Sequence, residues 1–128
     1  MPQVLLIESD RLIAGNIKKM LKKAGIKVDW QVDPQAALDD ADKNLPDLII
    51  IDMVLAGHGG IEFLYEFRSY PDWQKVPVVV FTSLSAEELK KDISGFEHLN
   101  ISAYHYKPNT PLSDLVKSVE HILQPASV

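Results

Sequence analysis

The sequence predicts an α/β domain built on a doubly wound, five-stranded parallel sheet. Two observations lead to this fold class: short aliphatic runs recur along the chain, and segments with helical spacing of apolar residues lie between them. Such runs suit strands that are covered on both faces, as the strands of parallel sheets are. Five strand-helix units in strict alternation favour right-handed crossovers, with helices on both faces of the sheet.

The size and composition of the chain restrict its functional class. Its 128 residues match a single domain that can bury a core without metals or disulfides. The chain contains no cysteine, which excludes thiolate nucleophiles and cysteine-bound zinc. A net charge of −5 argues against nucleic acid or an anionic membrane as the main partner. The apolar runs are too short to cross a bilayer, and the first residues lack signal-peptide features, so we expect a soluble cytoplasmic domain.

The first strand, the first helix and the second strand follow one another from the start of the chain. Val4–Ile7 is an aliphatic run that predicts the first strand, and Lys27–Val32 predicts the second. Between them, apolar residues recur at three- and four-residue steps, and Gly25 ends the helix. The apolar positions are Leu12, Ile13, Ile17, Met20, Leu21 and Ala24, and the opposite side carries Lys18, Lys19, Lys22 and Lys23.

Prolines and glycines mark the second helix, the third strand and the third helix. Asp33 suits an N-cap, and Pro34 then occupies the first position of the second helix. Pro46 ends that region before the strand Leu48–Ile51. The third helix follows a glycine-rich loop at 57–60, and its apolar positions are Ile61, Phe63, Leu64 and Phe67.

The fourth unit and the fifth strand repeat this order. Pro77 opens the strand Val78–Phe81. Ser85 and Glu88 have the spacing of a capping box, which predicts the start of the fourth helix. Ser102–Tyr106 is the fifth strand.

The last helix completes the domain. It begins at Thr110 and Pro111, and we place the domain at residues 1–123, with a tail or the start of a linker at 124–128. Its apolar positions are Leu112, Leu115, Val116, Val119, Ile122 and Leu123.

Polar residues follow the carboxyl ends of four predicted strands, which is where open parallel sheets form their sites. Carboxylates with room for water suit Mg²⁺, and a lysine with a hydroxyl suits a phosphoryl group held against that metal. The residues are Glu8, Ser9 and Asp10 after the first strand, Asp52 after the third, Thr82 and Ser83 after the fourth, and Lys107 and Pro108 after the fifth.

Several of these residues also have a purely structural interpretation. Ser9 suits an N-cap of the first helix, and Asp10 suits its first turn. Thr82 is a common β-branched strand residue, and Lys107 could be a solvated surface lysine. The convergence of the strand-end acids with Lys107 favours a functional site.

In this order the residues resemble the motif set of receiver domains from bacterial two-component response regulators, and the resemblance covers essentially the whole chain. Each piece alone is common, but the full set at the ends of five alternating units is specific. The resemblance implies a flavodoxin-like (βα)5 fold with strand order 2-1-3-4-5. The matching residues are Glu8, Asp52 with Gly60 eight positions later, Thr82, Tyr104 and Lys107-Pro108.

The resemblance implies a role for each matching residue. Asp52 would accept a phosphoryl group from a histidine kinase or a phosphotransfer protein. Thr82 and Lys107 would contact the phosphoryl oxygens, and Tyr104 would act as a switch residue. A cis peptide would precede Pro108. Mg²⁺ would be the cofactor, bound by the side chains of Glu8 and Asp52 and the backbone carbonyl of Val54, with Ser9 binding it weakly or through water.

The resemblance further implies a signalling domain of the bacterial cytoplasm, whose phosphorylation is self-catalysed, and not a metabolic enzyme. A downstream protein would bind the face formed by the fourth helix, the fifth strand and the fifth helix, which also supports homodimers in this family. Direct binding of nucleic acid or membrane is not expected. Val54 and Leu84 would flank the path of the water that hydrolyses the acyl phosphate, and both are apolar.

Two departures from the family pattern stand out. Ser9 occupies a position where the family has a metal-binding Asp, which leaves open a pseudo-receiver that signals through protein contacts without phosphorylation. The stretch between Thr82 and Lys107 is a few residues longer than is typical of the family, with residues 95–100 in the excess. Two enzyme classes on similar sheets fit poorly: a haloacid-dehalogenase-type phosphatase needs an acid at Val54, and a flavodoxin needs a Ser/Thr-rich phosphate loop after the first strand. Trp30 and Trp73 are expected at the surface or at helix ends.

Overall fold

The structure is a computed structural model that describes residues 1–55, 59–92 and 99–124. Its sheet has five parallel strands in the order β2-β1-β3-β4-β5, so the expected fold class and strand order are confirmed. The expected tail falls largely on residues 125–128, which lie outside the described part. The strands are β1 (Gln3–Ile7), β2 (Lys27–Gln31), β3 (Leu48–Ile51), β4 (Val78–Thr82) and β5 (Ile101–Tyr106).

The helix caps agree with those predicted from the sequence, except at the first helix. Asp33 caps the second helix, and Ser85 and Glu88 form the expected capping box. The first helix is capped by Asp10, whose carboxylate accepts the Ile13 N–H; Ser9 is therefore not its N-cap. The helices are α1 (Arg11–Lys23), α2 (Pro34–Lys43), α3 (Gly60–Arg68), α4 (Ala86–Asp92) and α5 (Leu112–Leu123), with 3-10 turns at Pro71–Trp73 and Lys107–Asn109.

The core has two layers, one on each face of the sheet. Alternate strand residues face opposite layers, so Leu6 packs with α1 and α5 whereas Leu5 packs with α2 and α3. Leu12 does not join the core and is 74% exposed. Because an α-helix has 3.6 residues per turn, Leu12 lies nearly opposite the buried Ala14. Among the described residues, no helix is long and apolar enough to span a membrane.

An irregularity in β5 decides which layer Tyr104 faces. Val78 pairs with Ile101 but Val79 pairs with Ala103, so β5 carries one extra residue there. As a result Tyr104 pairs with Val80 and packs against the layer of α2, α3 and α4. Without the extra residue it would lie on the opposite face, because a shift of one residue inverts the side-chain direction.

Candidate functional site

Two buried acids and one lysine meet at the carboxyl edge of the sheet. Glu8 follows β1 and Asp52 follows the neighbouring β3, and they are 1% and 4% exposed. Lys107 follows β5, and its Nζ lies 2.6 Å from Asp52 Oδ2 and 2.8 Å from Glu8 Oε1. The fold therefore brings three of the predicted site residues into direct contact through a single ammonium group.

The remaining carboxylate oxygens accept backbone N–H groups. The Asp10 N–H donates to Glu8 Oε2 at 3.0 Å, and the Val54 N–H donates to Asp52 Oδ1 at 3.0 Å. Both acids thus accept the N–H of the residue two positions later. These bonds fix the orientation of both carboxyl groups.

The two acids also govern the charge of Lys107. Burial by itself lowers the pKa of this lysine, but its hydrogen bonds to Asp52 and Glu8 and their negative charges outweigh burial, so its pKa is raised. Its Nζ lies 5.5 Å from the centre of the Phe81 ring, within the range of a cation–π contact. Lys107 is therefore a fixed cation at neutral pH, and the three groups together carry a formal charge of −1.

The backbone after Asp52 leaves no room for a side chain at position 60. A Cβ at this position would lie 2.4 Å from the Asp52 carbonyl oxygen and 2.9 Å from the Met53 Cα. The Gly60 N–H donates to the Met53 carbonyl at 3.0 Å, which holds the start of α3 against this turn. A side chain here would push the backbone of Asp52 out of place.

A chain of hydrogen bonds connects Thr82 at the end of β4 with Tyr104 on β5. Thr82 is fully buried, and its Oγ1 accepts the Leu84 N–H at 3.3 Å. The Leu84 carbonyl accepts the Tyr104 hydroxyl at 2.5 Å. Burial, followed by the charges of Tyr106 and Glu88, raises the pKa of Tyr104, so its phenol remains a donor at neutral pH. The position of Leu84 thus links the two side chains.

Comparison with known proteins identifies the arrangement. The family model described as "Response regulator receiver domain" matches residues 4–120. The chain belongs to this family. It is a receiver domain of two-component signalling, and receiver domains interact with histidine kinases and downstream effectors and generally bind Mg²⁺ at their phosphorylation site.

Relatives and solved structures agree with this assignment. The receiver is 32% identical to regulatory protein VanRB of Enterococcus faecalis over 122 residues, which cover 95% of this chain and 52% of VanRB. The receiver domain of Francisella response regulator 1452 has a TM-score of 0.81 at 27% identity and covers 96% of this chain and 97% of its own. The chemotaxis protein CheY4 of Vibrio cholerae shares the fold, with a TM-score of 0.83 at 24% identity and coverage of 95% and 98%. The chain spans about half the length, or less, of the curated regulators that it matches.

Some predicted features of the receiver site lie apart from the cluster or differ from expectation. Ser9 is exposed, and Asp10 turns away to cap α1. Val54 is 48% exposed at the rim. Among the described residues no peptide bond is cis, so the expected cis bond before Pro108 is absent; trans is the lower-energy form of such bonds. Two residues of the glycine-rich loop, Gly57 and His58, lie outside the described residues, as do residues 95–98 of the excess segment before β5.

Trp30 is a site-supporting residue that sequence reasoning missed. Its Nε1–H donates to the Glu8 carbonyl at 2.8 Å, and the Glu8 N–H donates to the Gln31 carbonyl at 3.2 Å. The end of β2 therefore holds the backbone of Glu8 from the side opposite to Lys107. The strand register could have predicted this contact. With β2 parallel to β1 and next to it, Trp30 pairs with Leu6, two residues before Glu8.

Proposed function

We propose that this receiver accepts a phosphoryl group on Asp52 from a histidine kinase or a phosphotransfer protein. The single observation that carries the proposal is the Lys107 ammonium at 2.6 Å from Asp52 Oδ2. A fixed cation beside a carboxylate is suited to stabilise the negative charge that a phosphoryl group brings with it. Direct support from Glu8 keeps that cation in place.

The transfer is a nucleophilic substitution at phosphorus. A carboxylate oxygen of Asp52 forms the new O–P bond while the P–N bond to the donor histidine breaks, and the imidazole nitrogen keeps the electron pair. Lys107 would pair with a phosphoryl oxygen, and the Thr82 hydroxyl would donate to another. Since this chemistry requires mainly alignment and charge stabilisation, buried and hydrogen-bonded groups are suited to it.

The oxygen donors at this edge suit Mg²⁺, with fewer charges than a site of three acids would provide. Among the described residues no group of three acidic or other metal-binding side chains comes together. Mg²⁺ is often held by one or two carboxylates plus water, so Glu8 and Asp52 suffice. The Val54 carbonyl would be a further ligand, and Ser9 would bind weakly or through water. The metal would supply positive charge next to the phosphoryl oxygens.

The hydrogen-bond chain from Thr82 to Tyr104 supplies a route from phosphorylation to partner binding. If the Thr82 side chain rotates to donate to a phosphoryl oxygen, its Oγ1 moves away from the Leu84 N–H, and the loop whose carbonyl accepts the Tyr104 hydroxyl would shift. This changes the face formed by α4, β5 and α5, where we place the downstream protein or a second receiver.

Acetyl phosphate provides a direct test that needs no identified kinase. The receiver is incubated with acetyl phosphate and Mg²⁺, and its intact mass is followed over time. We expect the mass of one phosphoryl group to be added to the unmodified protein and none to Asp52→Asn, whose far-UV circular dichroism should match. A receiver that gains no phosphoryl group at any Mg²⁺ concentration would instead behave as the pseudo-receiver alternative, and the proposal would be wrong.

A further inference from the structure

A groove runs between α2 and α3 on the face of the sheet opposite to α1 and α5. Two adjoining cavities of about 210 Å³ and about 160 Å³ share Gln35, Leu38 and Glu66 in their walls, so they form one continuous depression. It begins at Pro34 in the first turn of α2 and extends to Trp73 in the turn after α3. Asp52 does not line it.

The groove has an apolar floor and an acidic rim. Pro34, Leu38 and Phe63 provide the floor, and all three are buried apart from the edges that line the groove. Every charged residue that lines either cavity is acidic. The rim consists of Asp39 and Asp42 from α2 and Glu62 and Glu66 from α3, all of them exposed.

Aromatic rings extend the floor to one end of the groove. The Phe67 and Trp73 rings stack with centres 4.9 Å apart, and the Tyr70 ring lies 4.5 Å from Trp73. Tyr70 is 47% exposed, so this aromatic pair is accessible where the groove ends. Aromatic faces attract cationic side chains, particularly the guanidinium group of arginine.

We propose that the groove between α2 and α3 binds an arginine- and lysine-bearing segment of a partner protein. Long basic side chains can lay their methylene stems along an apolar floor while their charged ends reach carboxylates. The groove offers a surface for each part of such a side chain: Leu38 and Phe63 for the methylene stems, and four carboxylates above them for the charged ends. Aromatic rings lie at one end of the groove. The groove is separate from the α4-β5-α5 face. A partner bound in the groove therefore adds to the phosphorylation-dependent contact on that face and does not compete with it.

A labelled peptide of six arginines, with a peptide of six glutamates as its charge control, tests the groove on the whole chain. We expect saturable binding of the arginine peptide that weakens with added salt, and no binding of the glutamate peptide. Asp42→Asn with Glu66→Gln should weaken binding by about tenfold, which corresponds to about 1.4 kcal/mol. The matched control is Glu87→Gln with Asp114→Asn, which removes the same charge from exposed residues on α4 and α5 and should change the affinity less than twofold.

Nuclear magnetic resonance on the unmodified chain locates the peptide without relying on any variant. The indole signal of Trp73 should shift during titration while that of Trp30 stays in place, because only Trp73 lines the groove. Asp52→Asn should bind the peptide as the unmodified chain does, so failure here is independent of the phosphorylation proposal.

Three results would overturn the inference. The first is equal weakening by both double variants, which would show attraction to net charge alone. The second is an unshifted Trp73 signal at saturation. The third is self-association at low salt that Lys18→Glu with Lys22→Glu abolishes, because the groove would then hold α1 of a second copy.

Discussion

Lys107 and Asp52 are 55 positions apart in the chain, and their side chains meet at 2.6 Å between Nζ and Oδ2. The contact spans β4, since Asp52 follows β3 and Lys107 follows β5. Glu8 at the end of β1 completes the group. One ammonium therefore pairs with acids that follow two strands, and the chemistry that we propose for Asp52 depends on it.

Replacement of Lys107 should change how the free energy of unfolding depends on pH. The raised pKa of Lys107 means that the folded state binds its proton more tightly than the unfolded state does. Its stabilisation is therefore complete below the unfolded pKa of about 10.4 and is lost as the pH rises through the folded value. We expect Lys107→Met to unfold more easily by about 3 kcal/mol at pH 7, because two buried carboxylates lose their partner.

Urea denaturation of Lys107→Met and the unmodified protein, at a series of pH values from 7 to above the unfolded pKa of lysine, checks this pH dependence. The difference in the free energy of unfolding between the two proteins should shrink above the unfolded pKa. Tyr104 is present in both, so its own raised pKa does not affect the difference. A constant difference across that range would contradict the pairing.

Two glycine substitutions should have opposite effects on stability. Gly60→Ala places a methyl group 2.4 Å from the Asp52 carbonyl, and we expect it to lower the free energy of unfolding by about 1–3 kcal/mol and to slow phosphorylation. Gly15→Ala lies inside α1, where the new methyl group meets nothing within 4 Å apart from its chain neighbours and the backbone of its own helix, so it should raise that free energy by about 0.5–1 kcal/mol. Chemical denaturation measures both. Equal effects would show that the close approach at Gly60 is unimportant.

Ser9→Asp should restore the missing charge of the metal site. We expect Mg²⁺ to bind about ten- to a hundredfold more tightly and phosphorylation by acetyl phosphate to accelerate. Without metal, the added carboxylate should destabilise the fold through repulsion by Glu8 and Asp52. Ser113→Asp adds the same charge at an exposed position on α5 and serves as the control. Equal Mg²⁺ affinity in Ser9→Asp and the unmodified protein, measured by calorimetry, would remove Ser9 from the metal site.

The phosphorylated state should be long-lived. Val54 is 48% exposed and Leu84 is partly buried, and neither side chain can orient a water molecule for attack on phosphorus. Since alignment is a large part of this chemistry, we expect hydrolysis slower by about ten- to a hundredfold than with polar residues there. Val54→Asn with Leu84→Glu should shorten the lifetime of the acyl phosphate after the donor is removed. Decay within seconds in the unmodified protein would refute the expectation.

Local patterns predicted the elements, because the aliphatic runs of β1, β3 and β4 are buried on both faces and the cap at Asp33 acts within four residues. Contacts between distant segments were harder to predict. The extra residue that turns Tyr104 toward α4 depends on the pairing of β4 with β5, which no local pattern reveals.

Some contacts that hold the fold together also have no sequence motif. Arg68 is buried, and it donates hydrogen bonds to the carbonyls of Trp73, Gln74, Leu99 and Asn100. Burial lowers its pKa, and the described residues offer it carbonyl oxygens in place of a carboxylate. Such backbone partners leave no signature in side-chain spacing. The same holds for Trp30, whose partner is the Glu8 carbonyl.

The central claim, that Asp52 is the phosphoacceptor, is tested most directly by locating the phosphoryl group. The receiver is treated with acetyl phosphate and Mg²⁺, the acyl phosphate is reduced with borohydride, and the digested protein is sequenced by mass spectrometry. We expect the reduced residue at position 52 and no reduced residue in Asp52→Asn. Reduction at another acid, or an equal yield from Asp52→Asn, would contradict the assignment.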